Sequence, residues 1–505
     1  MDDIAKPLKK KDRAVFRSRL AVIDIGSNSI RLVIYDVYGA AMLPYINQKT
    51  MAGLGRGFGE TGRLSADGRQ QAMRALKRFS GIINGLGINR VRAVATAAVR
   101  MAEDGPDFVA DVKRETGLDV EVLRGVDEAS ASAAGVKAGF PQAKGLIADL
   151  GGSSVEFGVL DGEETCLSES YPLGPLVYHS NYDRKARLAR IDEALVQSKA
   201  LKADLRGQTL YLIGGAWRAL AKLHMDLYDY GLRFLHAYEF AAKETARLVE
   251  ATHANDPVSI SRVEKAGGRR ADILPYAALL LDAIVRRAKT GRVVISAYGV
   301  REGLVRLETG KTSRNALLDG IELIMRPTRQ QWEFGDALVK FVSPVLPKKR
   351  DLLGAKHNDG HLVKAACALS DIGARSHPNM RARLAYDTVL EGSWTGLNHQ
   401  ERAFLALAVG SRYTRRFRVS DAKATLLSGA QADRARQLGA LMRLGATLSG
   451  RSVDLLASAS LHCDKNALCL SVNRQDEHLL SETVERRLGY AAQFMQRVPK
   501  TIVHD

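Results

Sequence analysis

The sequence predicts an α/β protein with two related lobes, followed by an all-α domain. Two similar hairpin-like segments lie about 125 residues apart, and strands alternate with helices after each of them. Beyond Thr309 the predicted strands become scarce and helical patterns dominate. At 505 residues the chain is also too long for one hydrophobic core, because domains usually contain about 100–200 residues.

The two similar segments read LAVIDIGSNSIRLVIYDV, from Leu20 to Val37, and LIADLGGSSVEFGVL, from Leu146 to Leu160. Each is an apolar run that ends near an aspartate, then a turn of small residues, then a second apolar run. This pattern predicts a β-hairpin. Asp24 and Asp149 stand at matching places in the two copies, which indicates two related lobes that face each other.

Helices and strands alternate after each hairpin. After the first, helical periodicity and apolar runs predict helices over 65–86, 107–116 and 127–138 and strands over 91–96 and 120–123. After the second, they predict helices near 190–203 and 271–288 and strands over 209–213 and 292–296.

These patterns divide the chain into five parts. We predict a flexible basic arm, a first lobe, a second lobe, a helical domain and a small α/β subdomain, which span residues 1–19, 20–138, 139–311, 312–450 and 451–505. In the last part, apolar runs predict two strands, over 453–460 and 467–472.

The formal net charge of +18 suits a polyanionic partner, although a basic surface can also serve solubility alone. An aromatic content of 6% without an aromatic-rich basic stretch argues against base stacking on a nucleic acid. No apolar run is long enough for a membrane span, the basic N-terminal stretch lacks the apolar run of a secretion signal, and four cysteines make no disulfide framework. We therefore expect a cytoplasmic protein without a specific nucleic-acid or membrane partner.

The small-residue turn of the first hairpin follows closely after Asp24 and contains Gly26, Ser27, Asn28 and Ser29. Glycine lets backbone N–H groups approach an anion, and the hydroxyl and amide side chains add donors. The turn is predicted to bind phosphate, and Asp24 to hold a metal-bound water or to fix the turn. A single such turn is also common as an ordinary hairpin tip.

The second turn repeats this composition, and we predict that the same kind of residues bind phosphate there: Gly151, Gly152, Ser153 and Ser154. Glu156 lies on the strand that follows and faces the same side as Ser154. Asp149 and Glu156 could then converge on one site. Carboxylates beside such a loop suit Mg²⁺ held partly by water and substrate phosphates, and Mn²⁺ would satisfy the same ligands.

These segments resemble the exopolyphosphatase/guanosine pentaphosphate phosphatase family of the actin-like ATPase superfamily. The resemblance runs over residues 20–305 and is carried by DIGSNS, VATAAVR, LRGVDEA, DLGGSS, RADILP and ISAYGVREGL. It implies two actin-like, ribonuclease H-like lobes with the active site in the cleft between them. The helical domain in turn resembles a degenerate metal-dependent phosphohydrolase, because Ser370 precedes Asp371 where an active metal site would have His-Asp.

The resemblance implies that Glu128 is the catalytic glutamate and acts as a general base. The residue pattern agrees, since it places Glu128 in the first turn of a helix with Asp127 as its N-cap. The alternative is that Glu128 only complements the helix dipole.

Further basic residues lie in or near the matched segments. Arg100 could grip the terminal phosphate at two points and is expected to be catalytic, with a surface arginine as the alternative. Lys49 precedes a Gly-rich stretch and is predicted to contact phosphate. Arg270 and Arg301 have two interpretations, structural salt bridges or substrate contacts.

Two other segments have an open interpretation. Ile213–Leu220 occupies the place where nucleotide-binding relatives in the superfamily hold adenosine, and its Trp217 and Arg218 indicate a degenerate version or a plain strand-to-helix turn. In the helical domain, a run of arginines predicts either a groove for a phosphate chain or a solvated helix face: Arg412, Arg415, Arg416 and Arg418.

Together these features predict an exopolyphosphatase that releases orthophosphate from inorganic polyphosphate. A guanosine pentaphosphate 5′-phosphohydrolase would use the same residues and is the main alternative, and a non-catalytic polyanion-binding protein is a more remote one. A sugar or acetate kinase is disfavoured, because the segment around Trp217 does not supply a convincing adenosine site. A homodimer is the expected oligomeric state, although no sequence pattern determines it.

Overall fold

The computed structural model describes residues 18–161, 164–175, 184–310, 315–325, 328–346, 353, 359–415 and 417–505. The chain divides into two compact units between residues 314 and 315. Almost all of the predicted arm over residues 1–19 lies outside the described residues. In the described part of the chain, no helix combines the length and the apolar character needed to cross a membrane.

The first sheet of the N-terminal unit contains the first predicted hairpin. Its strands are β1 (Ser18–Ile25), β2 (Ile30–Tyr38), β3 (Ala41–Thr50), β4 (Val91–Ala95) and β5 (Val120–Val122), in the spatial order β3-β2-β1-β4-β5. β1 pairs antiparallel with β2 and parallel with β4. The helices of this part are α1 (Phe58–Thr61), α2 (Ala66–Gly85), α3 (Ala97–Met101), α4 (Gly105–Thr116) and α5 (Gly125–Gly139).

The second sheet contains the second predicted hairpin. Its strands are β6 (Gly145–Leu150), β7 (Val155–Asp161), β8 (Glu164–Tyr171), β9 (Thr209–Gly214), β10 (Glu239–Ala241) and β11 (Arg292–Ile295), in the order β10-β11-β9-β6-β7-β8. The helices are α6 (Arg184–Val196), α7 (Gly215–Leu227), α8 (Thr245–His253), α9 (Pro257–Gly267), α10 (Leu274–Ala288) and α11 (Val300–Thr309). Short 3₁₀ segments lie at Ala200–Lys202, Ala242–Glu244 and Gly268–Ile273.

The internal repeat extends to the topology of the two sheets. The order β8-β7-β6-β9-β11 reproduces β3-β2-β1-β4-β5, with an antiparallel hairpin followed by parallel strands in both. Both hairpins are therefore confirmed, and so is the predicted α/β fold with two related halves. Because β1 and β6 are central and parallel to their next neighbours, their carboxyl ends present the two small-residue turns.

Helices α5 and α11 cross at very short distance on one face of the first sheet. A Cβ atom on Gly303 would lie 1.7 Å from the carbonyl oxygen of Ala131, and one on Gly135 would lie 2.1 Å from that of Gly299. Only glycine fits at these two positions, since any side chain would collide with backbone. The crossing places the N-terminus of α11 beside the helix that carries Glu128.

The C-terminal unit is mainly helical and ends in a small sheet. Its helices are α12 (Ala316–Met325), α13 (Arg329–Val342), α14 (Asp359–Ala368), α15 (Arg381–Glu391), α16 (His399–Tyr413), α17 (Asp421–Ala424), α18 (Gly429–Ser449), α19 (Val453–Ala457) and α20 (Glu482–Phe494), with 3₁₀ segments at Ser343–Val345 and Arg474–Leu479. Strands β12 (Ala459–Cys463), β13 (Ala467–Asn473) and β14 (Val498–His504) form the sheet in that order.

Two predicted elements are wrong in detail. The strand expected over 453–460 is helix α19 followed by β12, because the hydroxyl of Ser452 accepts from the amide of Leu455 and caps a helical turn. The helix expected near 190–203 is α6, which ends at Val196 before a 3₁₀ segment. The five-part division of the chain stays a prediction.

Candidate active site

A cavity of about 210 Å³ lies in the N-terminal unit where the two small-residue turns meet. Its lining combines both turns with carboxylates from β1, α5 and β6 and with basic side chains from several elements. The predicted site residues that line it are Asp24, Gly26, Ser27, Ser29, Lys49, Glu128, Asp149, Gly151, Gly152, Ser153 and Ser154.

The two turns have the same closing hydrogen bond. The amide of Gly26 donates to the carbonyl oxygen of Ser29 at 3.1 Å, and the amide of Gly151 donates to that of Ser154 at 2.9 Å. The repeat seen in the sequence is thus preserved in the turn conformation. Each turn brings hydroxyl groups and small residues to the end of a buried central strand.

The tips of the two turns contact each other directly. The Oγ atoms of Ser27 and Ser153 lie 2.8 Å apart, and both side chains are buried. The carbonyl oxygen of Ser27 accepts from the amide of Gly55 at 2.8 Å, and that of Ser153 accepts from Gly174 at 3.1 Å. A Cβ on Gly174 would lie 2.2 Å from the carbonyl carbon of Ser153, so this support requires glycine.

Sheet register pairs charged residues beside the two turns, in the cavity lining and behind it. Asp24 pairs with Arg31 across β1 and β2, and Arg31 pairs with Lys49 across β2 and β3. In the second sheet Asp149 pairs with Glu156 across β6 and β7. Arg31 and Glu156 therefore occupy matching places in the repeat, so one copy has a cation where the other has a carboxylate.

Glu156 does not line the cavity, which departs from its predicted role as a metal ligand. Its side chain is only 2% exposed, and Oε1 accepts from the hydroxyls of Ser154 at 2.5 Å and Ser170 at 3.0 Å. Burial, with the nearby carboxylates of Glu128 and Asp149, raises the pKa of Glu156 well above its ordinary value. Glu156 therefore lies behind the second turn, where its carboxylate holds the hydroxyls of Ser154 and Ser170 in place.

Glu128 lies in the first turn of α5, as predicted, and lines the cavity. The N-cap is Arg124 rather than Asp127, and these two residues pair at 2.7 Å through Nε and Oδ2. The Glu128 side chain is buried, and Arg100 donates to its Oε2 at 3.2 Å. Burial and then the charge of Asp149 raise the pKa of Glu128 to about 7, against the opposing effect of Arg100.

Two other predicted site residues lie outside the lining. Arg100 donates to the carbonyl oxygen of Leu123 at 2.6 Å and to Glu128, so its guanidinium is held against the catalytic candidate instead of projecting into the cavity. Asn28 is exposed at the hairpin tip, and its carbonyl oxygen accepts from the amide of Gly53. The structure therefore places neither Arg100 nor Asn28 in the cavity lining, and their phosphate contacts stay predictions.

Asp24 and Asp149 are the carboxylates at the ends of the two central strands, and both line the cavity. Burial raises the pKa of each carboxyl above its ordinary value. The hydroxyl of Ser132 donates to Oδ2 of Asp149 at 2.5 Å. Among the described residues, no group of three or more His, Cys, Asp or Glu side chains is arranged to hold a metal ion by itself.

Five basic side chains line the cavity: Arg31, Lys49, Arg218, Arg270 and Arg301. The sequence analysis did not single out Arg31, and it named Arg218 only in the segment at the adenosine position of the superfamily. Burial, followed by the charges of Arg270 and Arg31, lowers the pKa of Lys49 to about 8. Arg31 could have been found from the sequence, because it is a charged residue in an otherwise apolar run and alternates in register with Ser29.

The segment after β9 supplies a guanidinium to the cavity. Trp217 is fully buried in the core, with 0% exposure, whereas Arg218 lines the cavity. Burial and the charge of Arg301 lower the pKa of Arg218 to about 10, so it stays charged at neutral pH. The Trp217 indole is therefore not available to stack on a purine, which is compatible with both interpretations, a degenerate adenosine site and a plain strand-to-helix turn.

Arg301 is presented by the first turn of α11. The carboxylate of the next residue, Glu302, is buried and accepts from the amide of Gly299 at 2.9 Å and from the hydroxyl of Tyr35. This anchor ties the start of α11 to β2 and keeps Arg301 at the cavity, as the predicted substrate-contact alternative requires.

A family model described as the Ppx/GppA phosphatase family matches residues 33–311, more than half of the chain. The chain belongs to the Ppx/GppA phosphatase family. A second model, described as "Exopolyphosphatase, C-terminal", matches residues 339–500. The family resemblance noted over residues 20–305 is thereby confirmed, and the C-terminal unit is similar to the C-terminal part of exopolyphosphatases. The resemblance of the helical domain to a degenerate metal-dependent phosphohydrolase stays a prediction.

The similar proteins include some that are named exopolyphosphatase and some that are named guanosine-5′-triphosphate,3′-diphosphate pyrophosphatase. Exopolyphosphatase 1 of Mycobacterium tuberculosis is 27% identical over 312 residues, which cover 57% of this chain and 87% of the relative. A guanosine-5′-triphosphate,3′-diphosphate pyrophosphatase of Aeromonas hydrophila is 26% identical over 184 residues, 36% of this chain and 37% of the relative.

Solved structures of the family are similar in fold to more than half of this chain. The Ppx/GppA family member of Aquifex aeolicus has a TM-score of 0.52 at 25% identity and covers 58% of this chain and 97% of its own. An exopolyphosphatase from Cytophaga hutchinsonii has the same TM-score and identity, with coverages of 57% and 96%. The predicted fold class is confirmed by this similarity.

Proposed function

We propose that this Ppx/GppA family member is an exopolyphosphatase, which hydrolyses the terminal phosphate of inorganic polyphosphate. The observation that carries the proposal is the convergence of five basic side chains and two hydroxyl-bearing turns on one cavity with Glu128 in its wall. The lining has five cations against three carboxylates, so it favours a ligand with several negative charges. A phosphate chain presents such charges in a row.

In this reaction water attacks the terminal phosphorus, and the bond to the bridging oxygen breaks. Glu128 accepts the proton of the attacking water, and the products are orthophosphate and a chain shorter by one phosphate. The turn hydroxyls and the arginines stabilise the negative charge that spreads over the phosphoryl oxygens. With a pKa near 7, Glu128 is matched to proton transfer at neutral pH.

Asp24 and Asp149 are the residues that would hold Mg²⁺, or Mn²⁺ in its place. The chemistry of the donors fits, because two carboxylates on one cavity leave the remaining positions to water and substrate phosphates, as Mg²⁺ prefers. Once bound, the ion supplies positive charge against the phosphate oxygens. Glu156 is left out of this set because its side chain is turned to Ser154 and Ser170.

Polyphosphate is favoured over a nucleotide by the residues after β9. The buried Trp217 offers no ring for a base, while Arg218 adds a further cation at the same place. Guanosine pentaphosphate remains the alternative substrate, and one of the similar proteins has a name that refers to it.

The test is orthophosphate release from long-chain polyphosphate and from guanosine pentaphosphate, each with Mg²⁺. We expect the larger kcat/KM with polyphosphate. A larger kcat/KM with guanosine pentaphosphate would replace the proposal by the nucleotide phosphohydrolase. Release from neither substrate would contradict hydrolysis and leave a non-catalytic polyanion-binding protein.

Arg100→Gln is expected to move the pH profile of the reaction. The Arg100 guanidinium lowers the pKa of Glu128, so its loss raises that pKa and protonates the general base at higher pH. The acid limb of kcat/KM should shift above pH 7, with most of the activity recovered near pH 9. An unshifted limb with a uniform loss of activity would instead indicate that Arg100 contacts the substrate, the role predicted from the sequence.

Arg218→Gln is expected to reduce kcat/KM for polyphosphate by roughly 10- to 100-fold, the usual effect of losing a charged hydrogen bond. Steady-state assays over a range of chain lengths measure it. Lys222→Gln is the matched control, because Lys222 is an exposed cation on the same helix and does not line the cavity. Equal losses in both variants would point to a general effect of net charge.

A further inference from the structure

The C-terminal unit has a separate cavity of about 480 Å³ that the proposed reaction does not use. It lies among α15, α16, α18 and the segments that follow α14 and α18. Four arginines and a single carboxylate supply the charged groups of its lining: Arg381, Arg412, Arg443, Arg451 and Asp371. Its volume is within the range of about 300–1,000 Å³ that is usual for small-molecule sites.

Asp371 pairs with two of these arginines and leaves the rest of the positive charge uncompensated. Oδ1 accepts from Nη2 of Arg412 at 2.9 Å, and Oδ2 lies 3.6 Å from Nη1 of Arg451. This is the aspartate that follows Ser370, where an active metal site would have His-Asp. With both oxygens facing guanidinium groups, Asp371 is placed to orient arginines and not to hold a cation.

Arg443 has no such partner within the described part of the chain. Its Nη1 atom is buried without a hydrogen-bond acceptor, and the same holds for Nε of the neighbouring Arg412. Burial, followed by the charges of Arg487 and Arg412, lowers the pKa of Arg443 to about 10. Buried guanidinium N–H groups without an acceptor are costly, and an anion in the cavity would accept their hydrogen bonds.

The walls around these arginines are ordered by their own hydrogen bonds. The hydroxyl of Tyr413 donates to the carbonyl oxygen of Ser370 at 2.7 Å and accepts from the amide of Gly373 at 2.9 Å. Arg381 donates through Nε to the carbonyl oxygen of Ser376 at 2.8 Å. Arg451 has a φ of 73°, a left-handed conformation that is strained for an arginine and is often found at binding sites.

We propose that this cavity is a second anion site, which binds a phosphate-bearing ligand between Arg412, Arg443 and Arg451. Guanidinium groups present paired N–H donors that match phosphoryl oxygens, and a phosphate dianion balances the uncompensated charge. The site does not depend on the proposed reaction, because it lies in the C-terminal unit and includes none of the residues around Glu128.

Calorimetric titration of the full chain with inorganic tripolyphosphate tests the proposal. A Glu128→Gln background prevents hydrolysis during the measurement. We expect two binding sites per chain in this background and one after the additional change Arg443→Met, or a loss of affinity at the second site of roughly 10- to 100-fold. Parallel titrations with orthophosphate and ATP distinguish a site for a single phosphoryl group from one for a chain or a nucleotide.

Arg436→Met is the matched control, because Arg436 lies on the same helix, does not line the cavity and pairs with Asp433. It should keep both sites. Arg451→Gln, at a half-exposed side chain, should weaken the second site even if Arg443→Met impairs folding. A single site in the background protein, or two unchanged sites after both cavity substitutions, would overturn the proposal.

Thermal unfolding distinguishes an Arg443 that binds the ligand from an Arg443 that only packs. Without ligand, Arg443→Met should keep or raise Tm, because it removes a partly buried charge that is disfavoured by burial and by the charges of Arg487 and Arg412. It should also abolish the part of the tripolyphosphate-induced rise in Tm that Arg436→Met retains. A lower Tm together with an unchanged ligand-induced rise would assign Arg443 to packing alone.

Discussion

Glu128→Gln is expected to lower kcat for orthophosphate release by about 10²- to 10⁴-fold, the usual contribution of a general base. Glutamine keeps the shape of the side chain and can still accept a hydrogen bond from Arg100, but it cannot take a proton from water. KM should change little, since Glu128 acts on the attacking water and the basic side chains bind the phosphates. Steady-state assays on long-chain polyphosphate at pH 8 measure both constants.

Asp127→Asn is the matched control for this substitution. Asp127 is the preceding residue of the same helix, is partly exposed, pairs with Arg124 and does not line the cavity, so its loss should leave kcat nearly unchanged. Glu128→Gln should not lower Tm at pH 8, because burial disfavours the ionised carboxylate above its pKa of about 7. Near-full activity in Glu128→Gln would refute the assignment of the base.

The two turns could be predicted from the sequence because their chemistry is local. Glycine and serine after a buried strand specify the turn conformation within a few residues, and the second copy shows that the pattern is not accidental. The structure then brings the Oγ atoms of Ser27 and Ser153 to 2.8 Å, a direct contact that the sequence analysis did not predict. Their role in binding phosphate stays a proposal.

The positions of Arg100 and Glu156 could not be predicted, because they depend on contacts between distant segments. Arg100 turns to Glu128 and to the carbonyl oxygen of Leu123, while Glu156 is held by Ser170 on a neighbouring strand. The position of Arg218 in the cavity lining also depends on tertiary packing. Trp217 is buried in the core, and the adjacent Arg218 therefore points to the cavity.

The crossing of α5 and α11 connects the fold with the site. Gly303→Ala is expected to destabilise the N-terminal unit by about 1–3 kcal/mol or more, since overpacking at a rigid backbone contact has that effect. The new Cβ would lie 1.7 Å from the carbonyl oxygen of Ala131, so the two helices must move apart. Because α11 presents Arg301 and α5 presents Glu128, kcat/KM for polyphosphate should fall as well.

Gly81→Ala separates this clash from the intrinsic helix preference of alanine. Gly81 lies inside helix α2, is exposed, and a Cβ there would meet no atom within 4 Å. Alanine is favoured over glycine in a helix by about 1 kcal/mol, so this control should raise the free energy of unfolding and leave activity unchanged. Denaturant unfolding should therefore give opposite signs for the same substitution at the two helical positions. If both substitutions change the free energy of unfolding in the same direction, α5 and α11 can separate without loss of stability. The close crossing would then not be the feature that keeps Glu128 and Arg301 at one cavity.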